Sequence, residues 1–164
     1  MTRIWAMVAL ALALGGEGRA EELTVAAPQG FQLDLAIATH TAQIREFLPI
    51  GQSRETWQER VIVQRFPGLS DLDPDQFLSG VANRALADCG PGGSAEVIAL
   101  STSGAMVRVT CQEPREMGQT ETFIAKAVPS EAGLTIVQAV WRGDASPETM
   151  ARWLNYLLEV CPGG

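Results

Sequence analysis

The densest set of chemistry-bearing residues surrounds Trp57, in the stretch Arg54-Glu-Thr-Trp-Gln-Glu-Arg60. Glu55 and Glu59 stand four residues apart and could divide acid and base work on a glycan, with an exposed Trp57 as stacking surface. The competing reading packs Trp57 into the core and leaves Glu55, Glu59 and Arg60 on a solvated face, and it is the one preferred. His40 is the sole histidine and could act as base or ligand. No cysteine, histidine or carboxylate stands near it at metal-ligand spacing. Asp34 would share its face on an extended strand, but about 20 Å away. No G-x-S-x-G stretch presents a nucleophile, so a serine-hydrolase triad is not supported.

Asp71, Asp73 and Asp75 alternate as in a calcium loop. Gln76 stands where the loop glycine belongs, however, and Ala82 where the closing bidentate glutamate should be. Helix capping accounts for the same residues. Lys126, the single lysine, sits among apolar neighbours and reads as a strand residue snorkelling to the surface. Gly90–Gly93 follows a helix rather than opening one, so it lacks the N-terminal amides that hold phosphate and reads as a stop. No catalytic residue, metal-ligand set or cofactor is therefore assigned, and ligand-contacting residues stay open.

The elements that must position these groups are written by period and punctuation. Ala27-Pro-Gln-Gly30 is a turn between two expected strands within 23–39, the second with Phe31, Leu33, Leu35 and Ile37 at period two. Ile44–Pro49 leads into a polar connection over 51–56. Val61–Phe66 reads as a strand closed by Pro67-Gly68. Phe77, Leu78, Val81, Ala82, Ala85, Leu86 and Cys89 line one helix face, with Asp73 as N-cap, Pro74 at the first position and Gln76 in the capping box. Four strands follow at about 94–100, 104–112, 120–128 and 133–142, joined too tightly for crossover helices and so antiparallel. A last helix opens with Ser146 and Pro147 and shows a stripe of Met150, Trp153, Leu154, Leu157, Leu158 and Cys161. Val97–Leu100 and Leu134–Trp141 are apolar on both faces, which implies a sheet covered on both sides. The fold class is α+β: an antiparallel sheet of six to seven strands flanked by two main helices.

Arg3, the apolar run Ile4–Leu14 and the small residues Gly15, Gly16, Gly18 and Ala20 have the layout of a secretory signal peptide. Eleven apolar residues are too few to cross a hydrocarbon core of about 30 Å. The expectation is a signal peptide over 1–20, one globular domain over 21–164, no stable membrane anchor after cleavage, and a periplasmic or secreted location. Of the chain's 12 basic and 19 acidic residues, 10 and 18 then remain, a net charge of −8. An acidic balance argues against nucleic acid as partner. Cys89, Cys111 and Cys161 would export as one disulfide and one thiol. Three pairings are possible; a hairpin turning at Thr102–Gly104 sets Cys111 opposite the start of its first strand, near Ser94 and five residues past Cys89, and so favours a Cys89–Cys111 bond.

The order strand, strand, Trp-led strand, helix, four strands, helix resembles the PsbP/Mog1/DcrB-type fold, with Gly30, Phe31 and Pro49 in comparable places. The chain also resembles small proteobacterial secreted proteins that share a Trp before a short β-run (Trp57 to Val63), a cysteine after the first helix and one ending the last (Cys161). The resemblance implies binding or assembly roles and hands over no catalytic motif. The expected function is a non-enzymatic periplasmic binding or envelope-assembly protein, its partner an envelope protein or small ligand. The alternative is a cell-envelope hydrolase using Glu55, Glu59 or His40.

Overall fold

A computed structural model describes residues 25–101, 104–112, 120–143 and 145–160. The expected leader at 1–20, the turn residues 102 and 103, and Cys161 lie outside them. Seven strands form one antiparallel sheet: β1 (Phe31–Ala38), β2 (Gln43–Pro49), β3 (Glu59–Pro67), β4 (Gly93–Ser101), β5 (Gly104–Cys111), β6 (Glu121–Ser130) and β7 (Gly133–Arg142). Their order across the sheet is β1-β2-β3-β7-β6-β5-β4. Helix α1 (Pro74–Cys89) carries the chain from β3, beside the centre, to β4 at the far edge. Helix α2 (Pro147–Glu159) closes the described chain on the opposite face.

Both helices start where their caps are written. Asp73 Oδ1 accepts from Gln76 N at 2.9 Å, and Ser146 Oγ accepts from Thr149 N at 3.1 Å. Each satisfies an amide that the first helical turn leaves without a partner. The stripe of α1 buries Leu78, Ala82, Ala85 and Cys89 against Val109, Phe123, Ala125 and Ile136. The stripe of α2 buries Trp153 and Leu157 against Val61, Ile124, Val137 and Trp141. Leu158, expected in that stripe, is exposed, because the helix meets the sheet along a narrower line than its apolar content suggests.

The central strands β6 and β7 are buried on both faces, as their unbroken apolar runs require. Their turn needs glycine at 133, where φ is +137° and a Cβ would collide with the Phe66 carbonyl oxygen.

The structure corrects other expectations of the strands and of Lys126. No strand forms over residues 25–28; Val25 is buried against the α2 core and the Ala26 carbonyl accepts from Tyr156 Oη at 2.9 Å. The second strand is instead Gln43–Pro49, paired on both sides. Lys126 is fully buried: its Nζ donates to the carbonyls of Val160 at 3.1 Å and Leu158 at 3.4 Å. The ammonium thus meets the carbonyls that the end of α2 leaves open, where a positive charge also suits the helix dipole.

Cys89 and Cys111 form a disulfide with Cα atoms 5.1 Å apart, tying the end of α1 to the end of β5. The hairpin register produces it, since Gly93 faces Cys111 and Ser94 faces Thr110.

Candidate functional site

Two places on the α1 side of the sheet gather groups that could act, and the first is the surroundings of Trp57. The connection from β2 to β3 is pinned by its own polar groups. Ser53 O accepts from Trp57 N at 2.9 Å, Gln52 Oε1 accepts from Gln58 N at 2.8 Å, and Gln58 O accepts from Arg142 N at 2.9 Å. This turns the indole inward, 4% exposed, against two guanidinium groups. Arg60 lies 4.3 Å and Arg142 4.1 Å from the ring centroid. A cation over an indole ring is held by the ring's quadrupole.

The same arginines face two buried carboxylates. Arg60 Nη1 donates to Glu46 Oε1 at 3.2 Å, and Arg60 Nη2 stands 3.6 Å from Glu121 Oε1. Glu121 is also the register partner of Arg142 across β6 and β7. Burial pushes the Glu121 carboxyl above the ordinary glutamate range, against the pull of Arg60 and Arg142. Oε2 of Glu46 and of Glu121 have no hydrogen-bond partner among the described residues, so desolvation is only partly offset. Burial also lowers Arg142 from the usual arginine value, with Glu121 opposing and Arg60 adding to the shift. Two carboxylates and two guanidinium groups thus face one another beneath an indole cover.

The residues singled out in the sequence do not converge there. Trp57 is no exposed stacking platform. Glu55 is exposed and accepts from Ser53 Oγ at 2.6 Å, a bond that holds its carboxyl below the ordinary range. Glu59 turns toward α2 and pairs with Arg152 at 2.6 Å. His40 is exposed in the turn between β1 and β2. Asp34 sits at a bulge in β1 and pairs with Arg54 at 2.6 Å. Arg60, read as part of a solvated face, is turned inward instead. Glu46, Glu121 and Arg142 escaped sequence reasoning because they lie on three strands far apart in the chain. One local signal existed: Glu46 interrupts the inward alternation of Ile44 and Leu48.

The second place is a groove of about 240 Å³ between α1 and the edge strand β4. Leu78 and Ala82 of α1, with Val97 and Val107 of the sheet, make its apolar floor. Asp75, Ser79 and Asn83, one turn apart along α1, make a polar rim. These side chains are short, so the helix leaves the sheet edge uncovered. Val97 is accordingly 66% exposed, although its sequence run implied cover on both faces. Among the described residues no group of three or more histidine, cysteine, aspartate or glutamate residues is arranged to hold a metal ion. The groove offers shape, apolar area and hydrogen-bonding groups, which serve binding. The chain matches no protein-family model, no curated protein and no solved structure.

Proposed function

We propose that this chain is a non-enzymatic binding protein of the cell envelope, working outside the cytosol and holding its partner in the groove between α1 and β4. The observation that carries this reading is the division of labour on the α1 side. The carboxylates that could do acid and base chemistry, Glu46 and Glu121, are engaged by Arg60 and Arg142 beneath Trp57. The open, apolar-floored groove lies elsewhere, and its rim of Asp75, Ser79 and Asn83 offers hydrogen bonds to a bound partner. The Cys89–Cys111 bond supports an oxidising compartment. Among the described residues no helix is long and apolar enough to cross a membrane. The element order, which resembles the PsbP/Mog1/DcrB-type fold, adds an analogy toward binding or assembly.

The test is capture from envelope extract by the wild type and by Asn83→Trp, which fills the groove from an exposed rim position. A species retained by the first and lost from the second is the expected result. Turnover of cell-wall or ester substrates, abolished by one substitution at Glu55, Glu59 or His40, would overturn the reading in favour of a hydrolase.

A further inference from the structure

The ladder between β4 and β5 tells which backbone groups of β4 face outward. Gln112 N donates to Gly92 O at 3.2 Å, one step beyond the facing pair Gly93 and Cys111. Hydrogen-bonded and non-hydrogen-bonded pairs alternate along an antiparallel ladder. Ser94–Thr110 and Glu96–Arg108 are therefore the next bonded pairs, so Ala95 aims its N–H and C=O groups, and Val97 its N–H, away from β5, up to the register shift between Val97 and Ala99. Among the described residues the sheet has no further strand beyond β4. Both residues also border the groove. Both edge strands carry a register shift, at Asp34 in β1 and between Val97 and Ala99 in β4, but β1 also has its edge occupied by the ion pair of Asp34 with Arg54.

Charge adds a second constraint. Glu96 is neutralised by Arg108 at 2.6 Å. Asp75, exposed on the groove rim, has no ion pair among the described residues, and the whole chain carries −7.

We infer that the groove takes an extended peptide segment of a partner protein, which adds to β4 as an eighth strand. The segment exchanges hydrogen bonds with Ala95 and Val97, lays alternate apolar side chains over Val97, Leu78 and Ala82, and sets a basic side chain beside Asp75. Strand addition of this kind takes its affinity from main-chain bonds and its selectivity from pockets for alternate side chains. This inference rests on the groove reading above and names the chemistry of its occupant.

The probe is a synthetic heptapeptide alternating valine and lysine, titrated against the full chain by calorimetry. Binding is expected, with a loss of about tenfold when alternate peptide nitrogens are methylated, since each methyl removes a donor and blocks approach. Val97→Asp should weaken it by a similar factor, and Asp75→Lys should shift the preference to a valine–glutamate peptide. No binding, or equal binding of the methylated peptide, overturns the inference. So does a dimer of the chain alone that Val97→Asp dissociates, because the occupant is then a second copy. If the heptapeptide fails while Asn83→Trp still loses the species captured from extract, the groove reading stands and only strand addition falls.

Discussion

The pairing of Trp57 with Arg142 is the contact whose strength can be worked most directly from the structure. The ring is almost fully buried, and Arg142 is centred 4.1 Å from it, with Arg60 on the ring at 4.3 Å. Truncating a buried Trp to Ala costs about 3–5 kcal/mol in lost contact and residual cavity. Each cation–π contact adds about 1–2 kcal/mol where the cation is partly desolvated, as Arg142 is. Trp57→Ala would then consume about half or more of the 5–15 kcal/mol that holds a typical domain together. A gentler cycle isolates the term: Trp57→Leu, Arg142→Met and the double variant, each unfolded in urea at neutral pH. The coupling energy is expected at about 1–2 kcal/mol, favourable to the native pair, because cavity and desolvation terms cancel around the cycle. A coupling of zero would mean that Arg142 merely lies over the ring, and that the indole is held by apolar packing alone.

Three further outcomes follow from the same structure. Glu121→Gln tests the buried carboxyl. Because burial raises its folded value above the unfolded 4.5, the contribution of Glu121 to stability is full below that value and lost as pH rises through the folded one. The variant should match the wild type in thermal melts at acid pH and exceed it at neutral pH; lower stability at neutral pH would mean the ion pairs outweigh burial. Replacing Cys89 and Cys111 by Ala removes a crosslink spanning 22 residues, and chemical denaturation should register a loss of about 3 kcal/mol. Ser146→Ala removes the acceptor for Thr149 N and should cost about 0.5–2 kcal/mol in the same assay.

Local features were the legible ones. Asp73, Pro74 and Gln76 start α1, and Ser146 and Pro147 start α2, because a cap acts within one turn of its own residue. The hairpin of β4 and β5 brings Cys89 and Cys111 together, and a one-residue shift between Val97 and Ala99 moves the facing residue of Cys111 only from Ser94 to Gly93. Ile44–Pro49 was missed as a strand for a physical reason. Gln43 and Glu46 are polar yet buried, so the period that marks a half-buried strand is broken there.

Composition and pattern alone determined the α+β class, both helix starts and the antiparallel run after α1, and they favoured Cys89 and Cys111 as the bonded cysteines. Each depends on residues close in the chain, or on a turn whose length sets the pairing. Only tertiary structure decided that β4 is an edge and β7 the centre, and hence that Val97 is left open while Lys126 is enclosed. It alone set Glu46, Arg60, Glu121 and Arg142 around Trp57, since they come from four strands whose neighbours follow the path of α1 across the sheet. Strand order is a choice among arrangements with similar local energies, and it is made by burying both faces of the whole sheet at once.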